Sequence, residues 1–197
     1  MGHMDTINRV MHGGYDNASD EERVAAVRDM IEVCSTAAAA VAIQPIPLVD
    51  IALISPIQIA MVQAVGRIHG HRLDRKAVLE MLSTFGASLV AQNAIMAASK
   101  LIPFLGWLIS ASVAYALTYA VGEVSDHYFR SGRGLAARDL KEHFDRVYKS
   151  KKAEQEARFK RSGDLKDRLE QLKAAHRDGI LTDEELARKK EEILSKF

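Results

Sequence analysis

The sequence predicts an all-α fold: helical hairpins packed as a bundle, with a small helical hairpin at the C-terminal end. Three observations lead there. No segment alternates apolar and polar residues with the period of two that a half-buried strand needs. Apolar residues recur three and four positions apart, and the turn-forming clusters fall at helix-length separations. At 197 residues the chain has room for one domain with a sizeable core and a small appendage.

Residues 1–18 are polar and glycine-containing, close on HGGYDNAS, and are expected to be flexible; Met1-Gly2-His3 reads as a cloning scar before Met4. Ser19 followed by Glu22 has the spacing of a capping box, which satisfies two of the free amides at a helix start. The helix it opens carries Val24, Val27 and Ile31 on one face and runs into CSTAAAAVAI, where Pro45 stops it. Two restart points follow. Asp50 can cap a short turn, and Ser55 as N-cap with Pro56 in the first helical position opens a helix to Gly70. Asp74 caps the next helix, which continues to about Lys100, and Pro103 heads another that runs to about Arg130. After the break SGRG (131–134), residues 135–161 form a charged connecting helix with Leu140, Phe144 and Val147 as its apolar line. A second break at RSGD precedes a charged hairpin over 164–197.

Charge is distributed unevenly. Between Glu32 and Arg67 the ionisable side chains are Cys34 and Asp50 alone, and LIPFLGWLISASVAYALTYAVG (101–122) has no acidic or basic residue. That second stretch is as long as the roughly 20 residues that cross a bilayer. Gly106, Ser110, Ala114, Thr118 and Gly122 recur every four residues in it and form a small-residue stripe for close helix packing. Ala87, Ala91, Ala94 and Ala98 make a similar stripe, so the two helices are expected to pair as a hairpin. In the first stretch, Pro45, Pro47, Asp50 and Pro56 make a built-in reversal rather than a spanning helix. Asp50 there is a cap for the turn's free amides or a titratable group inside an apolar hairpin. Both stretches admit two readings: helical hairpins that contact or enter a bilayer, or the buried interior of a soluble bundle.

The chemistry-bearing residues are few. A net charge of +1 gives no global attraction to nucleic acid, and the single Cys34 permits no intramolecular disulfide and no thiolate zinc site. Cys34 on its alanine-rich helix reads as a small buried residue, and His69-Gly70-His71 as a solvent-facing helix end. Lys149, Lys151, Lys152, Lys160 and Arg161 make a basic stretch that either touches anionic headgroups or forms a solvated face with the interspersed acids. No Ser-His-Asp set, paired carboxylates or phosphate loop stands out, so no catalytic, cofactor-binding or metal-ligating residue is expected. The single cysteine fits a reducing cytosol and the N-terminus lacks the pattern of a signal peptide, so the chain is expected in the cytoplasm or on a membrane face turned toward it.

PIPLVD (45–50), then Gln58, Met61-Val62 and Gly70, and later Lys100, Pro103 and Gly106, resemble a bacterial domain of unknown function. It is found in YcjF-like membrane proteins and at the C-terminal ends of certain bacterial GTPases. The resemblance covers about residues 30–130. It implies a helical, often membrane-associated module that accompanies a GTPase and has no known catalytic residues. This chain has no GxxxxGK[ST] loop, so any nucleotide hydrolysis would come from a GTPase in trans. LEQLKAAHRDGILTDEELARKKEEIL (169–194) is similar to the SHOCT module, a C-terminal helical hairpin. Leu165, Leu169 and Leu172 form one stripe, Gly179 ends that helix, and Thr182 with Glu185 caps the next, which presents Leu186, Ile193 and Leu194. About thirty residues bury too little surface to fold alone, so these leucines and Ile193 are expected to dock on another copy or on another protein. The expected function is therefore a non-enzymatic, membrane-associated protein that self-assembles through its C-terminal hairpin and partners a GTPase. The alternative is a soluble oligomeric adaptor with the apolar hairpins buried between subunits.

Overall fold

The computed structural model describes residues 3–12, 14–42, 49–83, 106–177 and 182–194. Among them the fold is all-α, as the sequence predicts. The helices are α1 (His3–Met11), α2 (Asp20–Ala42), α3 (Val49–Ile68), α4 (Arg75–Ser83), α5 (Gly106–Arg130), α6 (Ala137–Arg177) and α7 (Asp183–Leu194). The chain divides into two compact units, Met1–Ala153 and Glu154–Phe197, with the division inside α6.

In the first unit α2, α3 and α5 build the core, and side-chain pairings fix their directions. Ile31 lies against Gly122, while Ala38 and Ala42 cluster with Ile54, Val113 and Ala114. Gln58 bonds to Thr118, and His69 to Asp126. Hence α2 runs antiparallel to both α3 and α5, which are parallel to each other. α5 is the central helix: Ala111, Val113, Ala114, Ala116, Leu117, Ala120, Val121 and Val124 are all buried by protein. The apolar residues that allow a membrane reading of 101–122 thus serve as core over 110–122. No helix among the described residues is long and apolar enough to cross a membrane.

Local signals formed as expected where they lie within a single turn. Ser19 N donates to Glu22 Oε2 (3.0 Å) and Glu22 N to Ser19 Oγ (3.2 Å), which closes the first capping box. Asp74 Oδ1 accepts from Ala77 N at 2.8 Å, and Thr182 with Glu185 repeats the box at α7. Gly70, at φ +80°, ends α3 in a Schellman motif: His71 N donates to Gly66 O and Gly70 N to Arg67 O.

Several expectations are corrected. The N-terminal segment is not a loose tail. α1 buries Val10, Thr6 donates to Asp29 Oδ2 at 2.9 Å, and Tyr15 is buried beneath the Arg9 guanidinium, 4.6 Å from the ring centroid. α3 starts at Val49 and passes through Pro56 rather than restarting at Ser55. The proline removes one backbone bond, but its ring is exposed while Ile54, Gln58, Ile59, Met61 and Val62 are buried around it, and that burial outweighs the lost bond. RSGD does not break a helix, because α6 runs through it. A helical glycine costs only about 1 kcal/mol relative to alanine, and strong helix formers flank it, with Lys166 and Glu170 paired one turn apart. Val24 is 50% exposed, and Ala26, Val27, Met30 and Ile31 form the inner face instead.

Candidate functional site

Two regions of the first unit are candidates: the end of the bundle where α2 finishes (Ala42) and α3 and α5 start (Val49 and Gly106), and the polar network at the opposite end. At the first, chain direction is decisive. α2 ends and both α3 and α5 begin there, packed by the small cluster of Ala38, Ala42, Ile54, Val113 and Ala114 with Val41. Alanine at positions 38, 42 and 114 of this cluster lets the backbones approach closely.

The structural-turn residues Pro45 and Pro47 lie outside the described residues, as do Ala87, Ala91, Ala94 and Ala98. The backbone of Asp50 is the second residue of α3, so it sits inside the helix start and not at the flanking cap position. Of the packing stripe, Gly106 begins α5, and Ser110, Ala114, Thr118 and Gly122 are buried. Thr118 Oγ1 accepts from Gln58 Nε2 of α3 at 3.2 Å. A Cβ on Gly122 would stand 2.6 Å from Ile31 Cγ1 of α2. These stripe residues therefore meet α2 and α3, partners that the four-residue spacing alone does not name.

The opposite end is polar. His69 Nε2 and Asp126 Oδ1 are 2.7 Å apart and mostly buried, and Arg130 reaches the same carboxylate at 3.5 Å. His71 packs against Phe129, ring centroids 5.4 Å apart. The His69-Gly70-His71 segment is thus not a solvent-facing end but part of the α3–α5 contact. Cys34 is partly buried, packed against the core, and burial pushes its thiol up to about 11.

Along the α5–α6 seam, Leu140 and Phe144 enter the core and Val147 packs against it, as the apolar line predicts. A cleft of about 330 Å³ lies beside it, lined by Tyr119, Glu123, Arg146, Val147, Ser150 and Lys151. Burial, then the nearby Asp126, pushes the Glu123 carboxyl up. Lys151 Nζ sits 4.5 Å above the Tyr119 ring, which gives one lysine of the basic stretch an internal partner. Tyr115 OH donates to Glu32 Oε2 at 2.8 Å, tying α5 to α2. No group of three or more metal-ligating side chains occurs among the described residues.

His127 of α5 and His143 of α6 stack with centroids 4.9 Å apart. His143 Nδ1 accepts from Arg146 Nη2 at 2.9 Å, which requires a neutral ring, and its Nε2 is buried without a partner. Burial first, then His127 and Arg146, lowers the His143 pKa below 6.5, and His71 shifts the same way, also chiefly through burial. The unfolded chain therefore binds protons more readily than the folded one as pH falls below 6.5. Stability is fully present above that value and declines toward the depressed folded pKa. We expect Tm to fall over this window and the fall to be shallower in His143→Gln, which keeps an acceptor for Arg146. An identical slope in the variant would remove His143 from the account.

In the second unit, His176 Nε2 lies 2.8 Å from Asp183 Oδ1, joining the end of α6 to the start of α7. Leu169, Leu172, Leu186 and Ile193 are only half-buried, whereas the side chains of Leu165 and Leu194, and Gly179, lie outside the described residues.

Residues 9–153 match the family described as domain of unknown function DUF697. The match ends at the residue where the first compact unit ends. The chain is 28% identical over 136 residues to magnetosome membrane protein 22 of Magnetospirillum gryphiswaldense, covering 64% of this chain and 70% of that protein. No solved structure matches the chain. The family match extends over well more than half the sequence, and the chain belongs to the DUF697 family.

Proposed function

We propose that this protein is a non-enzymatic, membrane-associated helical module that meets the bilayer with the Ala42–Val49–Gly106 end of its bundle and self-assembles through its C-terminal hairpin. The observation that carries the reading is the convergence of three helix ends whose flanking sequence is nearly uncharged. Residues 43–54 and 101–112 hold one ionisable side chain between them, Asp50, while the opposite end carries Arg67, His69, Asp126 and Arg130. Such polarity along one bundle axis suits an object with one end against lipid and the other in water. A charge at mid-bilayer costs a few kcal/mol, so Asp50 favours shallow contact over deep insertion. The relative named as a magnetosome membrane protein supports membrane association.

The half-buried Leu169, Leu172, Leu186 and Ile193 support self-assembly, since a hairpin this small gains stability by covering them with a second copy. Any GTPase activity belongs to a partner in trans, because the chain carries no phosphate loop. Burial of α5 by protein over residues 110–118 favours a second reading, a soluble oligomeric adaptor. Vesicle flotation decides between them. The full chain is expected to float with vesicles, and Ile46→Glu with Leu48→Glu to abolish flotation without loss of helicity. A chain that stays at the bottom of the gradient as a monodisperse oligomer would establish the adaptor instead. Deleting residues 164–197, or substituting Leu169→Asp with Leu186→Asp in the full chain, is expected to lower the mass measured by light scattering. An unchanged mass would remove the hairpin from assembly.

A further inference from the structure

At the end of the bundle away from Ala42, two tied-down loops enclose a cavity of about 360 Å³, lined by His12, Asp16, Arg67, Gly70, Arg72 and Leu73 among others. That volume is at the lower end of the range for small-molecule sites. Both walls are held by bonds that leave the Arg67, Arg72 and Asp16 side chains unused. On one side Arg9 Nε donates to Gly14 O at 2.9 Å, and Arg23 Nη2 donates to Tyr15 O and Asp16 O at 3.2 and 3.4 Å. On the other, the Gly70 Schellman cap fixes the turn, and Gln63 Nε2 donates to Leu73 O at 3.0 Å. The space is thus preorganised rather than formed by loose chain.

Its electrostatics point one way. Arg67 and Arg72 line the cavity and make no hydrogen bond or ion pair among the described residues. His12 Nδ1 donates to Asn8 O at 2.7 Å, which orients the ring and leaves Nε2 as its second polar atom. The helix-end carbonyls of α3 that would repel an anion are largely satisfied by the Schellman bonds. Two guanidiniums with fixed forks match the oxygens of a phosphate group. Asp16, the one carboxylate of the lining, opposes a bare anion and accepts from a hydroxyl.

We propose that this cavity binds a phosphate monoester carrying a hydroxyl group, with Arg67 and Arg72 on the phosphate and Asp16 on the hydroxyl. The same chemistry occurs in soluble sugar phosphates and in phospholipid headgroups. The cavity's place opposite the apolar end assigns it a soluble source; that assignment, unlike binding itself, rests on the membrane reading above.

Calorimetric titration of the full chain with glycerol 3-phosphate tests it, with sulfate as the anion lacking a hydroxyl and vesicles containing phosphatidylinositol 4-phosphate, whose 4-phosphate is also a monoester beside hydroxyls, as the lipid arm. Glycerol 3-phosphate is expected to bind more tightly than sulfate. Arg67→Gln and Arg72→Gln should each weaken it about tenfold, and Arg28→Gln, an exposed arginine outside this cavity, should leave it unchanged. Circular dichroism confirms that the variants remain helical. Absent binding, or equal binding by the Arg67→Gln/Arg72→Gln protein, overturns the site. Sulfate binding equal to that of the ester overturns the role of Asp16. Vesicle binding that needs both arginines, without binding of the free ester, overturns the soluble source and leaves the membrane reading to its own flotation test.

Discussion

Gly122→Val is expected to destabilise the first unit by about 3 kcal/mol and to lower Tm by about 6–12 °C. The reason is one contact. Even the first carbon of a side chain at this position would lie 2.6 Å from Ile31 Cγ1 and 3.0 Å from Cδ1. Ile31 is itself fully buried, so it has no solvent into which to swing. A valine adds two more carbons at the same place, and either α2 separates from α5 or Ile31 leaves its rotamer. Gly122→Ala makes a sharper comparison: alanine gains up to about 1 kcal/mol in helix propensity, which offsets part of the clash. The test is a double-mutant cycle. Ile31→Ala alone should cost about 2–5 kcal/mol, but much less in the Gly122→Val protein, where the added methyls occupy the vacated space. Additive losses would mean that the two residues do not meet.

That contact shows what the sequence makes legible and what it does not. The four-residue recurrence of Gly106, Ser110, Ala114, Thr118 and Gly122 announces a close-packed face, yet its partners, Ile31 and Gln58, lie far away along the chain. Motifs closed within one turn are readable from residue type, as at Ser19, Gly70, Asp74 and Thr182. Where tertiary burial competes with a local signal, the local signal loses. Pro56 sits inside α3 because its neighbours are core, and α1 persists beside two glycines because Val10 and Tyr15 are buried. Val24 leaves the face that Val27 and Ile31 keep, and Ala26 is buried there, because the inward face of α2 is set by the helices that pack on it.

The candidate sites divide the same way. Nearly uncharged stretches are visible in the sequence, but that three helix ends beside them converge follows only from the antiparallel course of α2 against α3 and α5. The His69–Asp126 pair spans 57 residues, and a histidine beside a glycine gives no hint of it. Arg67 and Arg72 flank the Gly70 turn in sequence, but the cavity they line needs the loop after α1 as its other wall. Functional polarity in this protein is a property of topology acting on composition. Neither one alone specifies which end is apolar and which is charged.

Phe144→Ala should cost about 3–5 kcal/mol, and the loss should be local before it is global. Phe144 is completely buried and stacks parallel to Tyr148 with centroids 6.2 Å apart; together with Leu140 it carries the apolar face of α6 into the core. Apart from the partly buried Val147, the rest of that seam is polar or titratable: the His127–His143 stack, Arg146, Lys151 over Tyr119, and a Glu123 carboxyl pushed up by burial. Polar contacts of this kind, partly exposed and partly repulsive among cations, hold a helix weakly once its hydrophobic anchor is gone. Hydrogen exchange should therefore accelerate over 137–153 while 110–122, enclosed by α2 and α3, stays protected. Acid should act on the same seam, because protonating His143 sets its ring against Arg146 and His127. In Phe144→Ala the pH-dependent part of the stability should accordingly shrink, since a detached His143 titrates as it does in the unfolded chain. Uniform loss of protection across α2, α5 and α6 would instead mean that the seam and the bundle unfold as one cooperative unit.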